Sequence, residues 1–329
     1  MTGIRTSAVF KYEKKFGEED PTKSWMRLPA KTNIAFNPTN NAQELRSVGS
    51  KFFETIAPGM FTGSFTINTT VDYSYIQILP AVFEDYSYSP TTKTHTFKKA
   101  DGKMPKSISM RYKQLNRVVG GDADETTKLV GMVINTAKFS QDASAGSPMQ
   151  LTLSGVYAWQ DSDDSPLPAT DFIPFSGDVT QFACLQVPPG EDVANVEKLD
   201  FQIANSMAIV PNICSRMGHA YYEGPTKVTG SFTVYGNRRE WWHRFYSGGF
   251  DKNTNSPMAK GLRPIPEMAI VSNYSGDLGT DFRIYDSFIN TLNKSANDGQ
   301  KMVDAPSFMA RNVQLSIKNN VPSLDGILS

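Results

Sequence analysis

The chain alternates apolar and polar residues in short runs. From residue 61 to 68, Phe61, Gly63, Phe65 and Ile67 interleave with Thr62, Ser64, Thr66 and Asn68. A period of two with Ser and Thr on the second face predicts a strand with one core side and one wet side. Ile108, Met110 and Tyr112 alternate with Ser109, Arg111 and Lys113, and Met149, Leu151 and Leu153 with Gln150, Thr152 and Ser154. Residues 32–36, 199–205, 227–235 and 268–271 read as further strands. Tyr75, Ile78, Leu79 and Val82 fall at helical spacing and predict a short amphipathic helix, which Pro80 should kink or end early. A second helix is expected over residues 239–245. Residues 86–106 read as a polar loop or long hairpin with a turn at Asp101-Gly102.

One pattern occurs twice. Thr62-Gly63-Ser64-Phe65-Thr66-Ile67 returns as Thr229-Gly230-Ser231-Phe232-Thr233-Val234, 167 residues on. At the same displacement Tyr75 meets Trp242, Ile78 meets Phe245, Leu79 meets Tyr246 and Phe83 meets Phe250. Upstream, Gly49-x-x-Phe52-Phe53-Glu54 matches Gly218-x-x-Tyr221-Tyr222-Glu223. Shorter echoes join residues 133–136 to 288–291 and residues 149–153 to 313–317. A period this long points to a duplicated domain and not to a solenoid of short repeats. The expected organisation is an N-terminal arm over 1–24, a first module over 25–160, a Pro-rich linker over 161–181 and a second module over 182–329.

Composition narrows the function. Hydrophobic residues make up 39% of 329, enough for two cored domains. Lys and Arg number 33 and Asp and Glu also 33, so the chain as a whole is not built to grip nucleic acid electrostatically. The first residues carry no apolar leader, and no apolar run approaches the roughly 18 residues of a membrane span, so no membrane insertion is expected. Cys184 and Cys214 both lie in apolar sequence and are expected to be buried, reduced thiols.

Candidate chemistry is sparse. His95, His219 and His243 have no partner at metal-ligand spacing. Gly120-Gly121 reads as a turn, and Asp161-Ser162-Asp163-Asp164 lacks the glycine and terminal glutamate of a calcium loop. Trp241, Trp242, Phe245 and Tyr246 fit core packing better than a stacking platform. Tyr86, Tyr88, Lys93, Lys98 and Lys99 fit a solvated hairpin better than a nucleic-acid patch. No catalytic, cofactor-binding or metal-binding residue is assigned, no cofactor is expected, and an enzyme is disfavoured.

Residues 196–205, the run Gly224-Pro225-Thr226-Lys227-Val228-Thr229-Gly230-Ser231-Phe232-Thr233-Val234 and the aromatic segment ending near Gly248-Gly249-Phe250 carry a resemblance. Over about residues 25–320 the chain resembles the major tail tube proteins of long-tailed, siphovirus-like phages, in a two-module form. The resemblance implies a mainly β fold with short helices: two tandem β-sandwich or barrel modules, each with a flanking α-helix. It further implies self-association into rings, stacked as a tube around a channel through which DNA passes during ejection. Three two-module chains would make a pseudo-hexameric ring. Partners would be other tail proteins (tape measure, tail terminator, distal tail protein), and the location the virion tail after synthesis in the host cytoplasm. The competing expectation is a carbohydrate- or receptor-binding β-sandwich with exposed Trp241 and Trp242.

Overall fold

The alternating runs become strands. The computed structural model describes residues 6–28, 32–45, 48, 55–57, 59–114, 125–143, 145–146, 148–163, 165–170, 183–212, 214–235, 264–273, 279–295 and 302–328. In chain order the strands are β1 (Thr6–Lys15), β2 (Glu18–Glu19), β3 (Met26–Arg27), β4 (Asn33–Thr39), β5 (Gln43–Leu45), β6 (Thr55–Ala57) and β7 (Thr62–Thr70). A 3-10 helix, Tyr73–Ala81, precedes β8 (Asp85–Ser89), β9 (Thr94–Lys98), β10 (Ile108–Gln114), β11 (Glu125–Asp142), β12 (Gln150–Tyr157) and β13 (Trp159–Asp163). Then come β14 (Cys184–Gln186), β15 (Val196–Ala204), β16 (Met207–Asn212), β17 (Ser215–Glu223) and β18 (Lys227–Tyr235). The described strands end with β19 (Ile265–Asn273), β20 (Gly279–Ser295), β21 (Val303–Ala310) and β22 (Asn312–Lys318), and one helical turn, Asp325–Leu328, follows.

Eight strands form one antiparallel sheet in the order β4-β7-β12-β11-β15-β18-β21-β20. A second sheet runs β3-β1-β10-β11-β13, and a third runs β14-β19-β20-β22-β9-β8. The long strands β11 and β20 serve two sheets each. Each has a positive-φ residue where it changes sheet, Gly131 at +66° and Asp286 at +51°. Four residues further on, the register shifts at Asn135 and at Asn290. A bulge adds an unopposed residue and bends its strand, which is how one strand can leave one sheet and enter another. The return is equally short: Ala158 alone separates β12 from β13, and Arg311 alone separates β21 from β22. Ala158 N donates to Val130 O at 3.0 Å and Arg311 N to Tyr285 O at 3.1 Å.

The pairing orders β4-β7-β12-β11 and β15-β18-β21-β20 therefore match strand for strand. The echo of 133–136 in 288–291 falls on the two bulges. The echo of 149–153 in 313–317 is corrected, because β21, not β22, pairs with β18 as β12 pairs with β7.

The repeated glycine has a packing reason. Gly63 lies directly opposite Tyr157, and Gly230 opposite Phe308. A Cβ on Gly63 would stand 2.0 Å from the Tyr157 ring, and one on Gly230 would stand 2.4 Å from Phe308 and 2.7 Å from the carbonyl of Asp200. Each aromatic ring lies where a side chain would otherwise begin.

Several expectations change. The first residues are no arm: Thr6–Lys15 pairs with β10 and buries Val9, Phe10 and Tyr12 in the core. The first helix is neither α nor amphipathic, since Tyr75, Ile76, Gln77, Ile78, Leu79 and Val82 are all buried; it ends one residue after Pro80. The expected linker begins inside β13, and its residues 164 and 171–181 lie outside the described residues. The helix expected at 239–245, with Trp241, Trp242 and His243, and the turn at Gly120-Gly121 also lie outside them. Cys184 and Cys214 are exposed rather than buried, and they are not disulfide-bonded. Apolar sequence around Cys184 belongs to a strand, where only alternate residues such as Leu185 turn inward.

The segment from residue 86 to 106 is a hairpin, β8–β9, and it crosses to the other half: β9 pairs with β22, Phe97 opposite Leu315. Inside it His95 is fully buried, with Nδ1 3.0 Å from the Tyr86 hydroxyl and Nε2 3.1 Å from Val321 O.

Two tests follow from this packing. Gly63→Ala and Gly230→Ala should each lower unfolding free energy by about 1–3 kcal/mol in urea titrations, the usual cost of overpacking; wild-type midpoints would contradict the ring-on-glycine account. Burial holds the His95 imidazole below its ordinary 6.5. The fold thus binds this proton less well than the unfolded chain does. Its stability contribution is complete above about 6.5 and is lost as pH falls through the lower folded value. His95→Gln should remove that part of the acid-side loss, read as urea midpoints at neutral and acid pH.

Candidate functional site

Among the described residues one face of the eight-stranded sheet is uncovered and mainly polar. Along β7 the buried residues Phe65 and Ile67 point one way, and Thr62, Ser64, Thr66 and Asn68 the other. On β12 the same alternation turns out Gln150, Thr152 and Ser154, and on β15 Lys198, Asp200 and Gln202. Neighbouring strands join their polar groups across the face. Thr152 Oγ1 donates to Asn68 Oδ1 at 2.8 Å, and Thr291 and Ser307 hydroxyls lie 2.5 Å apart. Where the halves meet, Lys138 Nζ lies 3.2 Å from Asp200 Oδ1, and Lys198 Nζ lies 2.9 Å from Asp142 Oδ2. Each lysine on that seam thus has a carboxylate from the facing strand, so the surface is polar with its charge cancelled locally. Asp142 and its neighbours raise the Lys198 ammonium above its ordinary value, chiefly through the hydrogen bond between them.

The two ends of this sheet are open among the described residues. β4 pairs only with β7, and the C-terminal part of β20 pairs only with β21. Between them, the halves join edge to edge, β11 to β15, from Thr136 opposite Ala204 to Asp142 opposite Lys198. Under that seam Phe139 and Phe201 stack with centroids 4.8 Å apart, and Phe282 meets both edge-on at 4.8 and 4.7 Å.

A buried ion cluster locks the same junction. Lys99 Nζ bonds to Glu84 Oε1, to Asn205 Oδ1 at 2.9 Å and to Glu223 Oε1 at 3.2 Å. Asn205 Nδ2 in turn donates to Val82 O at 3.0 Å. Glu84 and Lys99 come from the first half, Asn205 and Glu223 from the second. Burial lowers the Lys99 ammonium's pKa, although Glu223 opposes the shift.

Of the residues weighed for chemistry that lie among the described residues, none is gathered into a reaction centre. Lys99 faces inward in the ion cluster, and Lys93 reaches Asn320 Oδ1 at 3.1 Å. Tyr86 packs between His95 and Phe97, with its hydroxyl accepting from Leu324 N. Asp161 and Asp163 lie exposed on β13 and cap the backbone N–H groups of Ser162 and Ser165. Among the described residues no group of three His, Cys, Asp or Glu could hold a metal ion, and no helix is long and apolar enough to cross a membrane. Sequence reasoning missed the ion cluster, whose members lie 15 to 124 residues from Lys99.

The cluster makes a direct prediction. Lys99→Met leaves the Glu84 carboxylate, whose side chain is 1% exposed, without its counter-charge. It should cost about 3–5 kcal/mol in chemical denaturation, and adding Glu84→Gln should recover part of that loss. A loss no larger than that of an exposed ion pair would show that the cluster does not hold the halves together.

Comparison with known proteins adds one finding. The family model described as phage tail tube protein matches residues 3–259. The sequence matches no curated protein. With the match covering most of its 329 residues and a mainly antiparallel β fold, the chain belongs to the phage tail tube protein family, a structural role in the tail of the virion.

Proposed function

We propose that this chain is the ring-forming subunit of a tail tube, that its two halves are duplicated modules, and that three chains close one ring. The observation that carries the reading is the seam inside the chain. There the last strand of one four-stranded set, β11, pairs with the first strand of the next, β15. The same two kinds of strand, β20 and β4, stand open at the ends of the sheet. An open edge of unpaired N–H and C=O groups is a template for another strand. Repeating the internal seam between chains uses both edges and leaves none.

The register carries over. The bulges set β20 at 155 residues beyond β11, Asn290 against Asn135. Phe36 lies opposite Phe65 and Leu199 opposite Phe232, which sets β15 at 163 beyond β4. Thr136 opposite Ala204 then becomes Thr291 opposite Asn41 of the next chain, and Asn293 meets Thr39. Both Asn293 and Thr39 are exposed. Such a contact is heterologous and closes only as a ring or continues as a helix.

With eight strands per chain, three chains supply about 24. At about 4.8 Å per strand the closed sheet would be at least about 37 Å across, backbone to backbone, and strand tilt widens it. The Ser, Thr, Asn and Gln face would line the bore for DNA, and rings would stack through other surfaces to meet the remaining tail proteins. Neutralised lysines suit a conduit, since each unpaired lysine on the wall would add a phosphate contact that slows passage.

The test is covalent. In a Cys184→Ser, Cys214→Ser background, Asn293→Cys with Thr39→Cys should give an oxidation ladder that ends at three chains. Averaged top views should show threefold symmetry. Rings of six whole chains, or no cross-link in assembled protein, would overturn the seam and the stoichiometry. The sugar-binding alternative predicts monomers that bind glycans.

A further inference from the structure

The internal seam is more than one pair of strands. In the second half, the hairpin β16–β17 sits between the first two strands of its four-stranded set and leans back over the first half. Arg216 Nη2 donates to Asn40 Oδ1 at 2.8 Å and Nε to Gly59 O at 3.2 Å, while Phe61 N donates to Arg216 O at 2.9 Å. Tyr221 packs its ring on Phe16 at 5.2 Å and donates its hydroxyl to Pro105 O at 2.8 Å. The region so covered comprises residues 59–61 and the bend at Gly131 and Ala158, against which Phe16 lies.

The first half has the corresponding hairpin, β5–β6, between its own first two strands. Among the described residues nothing covers Ile56 on β6 or Val48 between the two strands. Val48 and Ile56, at 107% and 53% exposure, are two of only six large apolar side chains exposed among the described residues. A third of the six, Met309 at 47%, lines an open cavity of about 430 Å³ with Val228, Phe288, Ala310 and the aliphatic part of Lys227. That cavity lies on the second half at the position that β16–β17 covers on the first. Residues 226–228 of its wall stand 167 beyond 59–61, and Asp286 at its rim stands 155 beyond Gly131. Among the described residues, the first half has a covered bend and an uncovered hairpin, and the second half an uncovered bend and a hairpin in use.

We infer that the β5–β6 hairpin of one chain docks into the Val228–Phe288–Met309 cavity of the neighbouring chain in the same ring, as a lateral clasp beside the strand seam. The occupant is a second copy of this chain, because the internal hairpin shows the fit and because the two unsatisfied apolar surfaces are each other's counterparts. This rests on the ring reading and adds to it. Edge pairing sets which strands meet, whereas the clasp buries apolar surface and gives the joint strength that backbone hydrogen bonds exposed to water do not. Within one chain only β16–β17 engages the other half, so the remaining hairpin and cavity make the contact directional and self-limiting at closure.

Two measurements test it. A photo-reactive benzoylphenylalanine replacing Val48 should, on illumination of assembled protein, cross-link to residues 226–229 or 309–311 of another chain, in adducts that stop at three chains. Ile56→Glu and Met309→Glu, both exposed in the single chain, should leave the thermal midpoint of unassembled protein unchanged and raise the concentration needed for ring formation at least tenfold. The Asn293–Thr39 cross-link separates the outcomes. If it forms while position 48 labels nothing on residues 226–229 or 309–311, the clasp is wrong and the ring stands. If it does not form, ring and clasp fall together. Adducts that run past three chains, or that land on a different tail protein, would assign the hairpin to ring stacking or to that protein and overturn the lateral clasp.

Discussion

The structure depends on one edge-to-edge joint, β11 against β15. Antiparallel pairing there makes two four-stranded sets into one eight-stranded sheet, so the halves share a sheet and a core instead of meeting as separate bodies. Phe139, Phe201 and Phe282 come from three strands of both halves and fill the space beneath it. Aromatic rings of this size dominate core energetics through the area they bury, and their stacked and edge-on geometry adds direction to that burial. The buried Lys99 cluster contributes differently. An ion pair withdrawn from water is weak evidence for net stability, but it penalises every arrangement in which Glu84 loses its partner. Packing holds the joint, and the charges select one alignment of it.

The long strands β11 and β20 explain how so few connections produce two layers. A positive-φ residue and a bulge four residues later let a single strand cross between sheets. At Gly131 the absence of a side chain makes that backbone easy and leaves room for Phe16 and Ala158. At Asp286 the same conformation is taken by a residue type that tolerates the left-handed region better than most. Crossing strands also place each half's polar wall directly over its core, so whatever stabilises the core fixes the shape of the wall.

Much of this was legible in the sequence because strands with one wet face write a period of two. The run around Gly63 and its copy around Gly230 became equivalent strands, and the echo at 133–136 and 288–291 marked the two bulges. Other features left no local signal. Helical spacing of Tyr75, Ile78 and Leu79 suggested an amphipathic surface helix, but Gln77, the polar residue that would face water, is buried too. The charge run from residue 11 to 20 concealed a core strand, because Lys11 lies beneath Trp25 and Glu13 takes four hydrogen bonds from Gly17, Ser107, Ser109 and Gly131. Composition reads charge as solvent exposure and does not see partners that distant strands supply. The crossing of β8–β9 into the other half was unreadable for the same reason, since its mate β22 lies more than 200 residues away.

A chain with two copies of one unit has an advantage over a chain with one. If the proposed ring is right, joining two modules covalently makes half of its seams intramolecular, so they would form at a high effective concentration before any chain meets another. In the proposed ring the internal seam would be free to differ from those between chains. The salt-bridged pairs Lys138–Asp200 and Lys198–Asp142 lie on the internal seam, whereas the positions on the open edges that correspond to Lys138, Asp200 and Lys198 carry Asn293, Asn37 and Ala35. Facing charges that need both partners to be neutral suit a seam that is always closed. An edge that waits exposed before assembly is better made of groups that water satisfies equally well in the open state and that carry no charge to repel or misdirect an incoming chain. The difference between the two kinds of seam is what a tandem subunit of the proposed ring requires, and it is written in side chains whose backbone setting is otherwise the same.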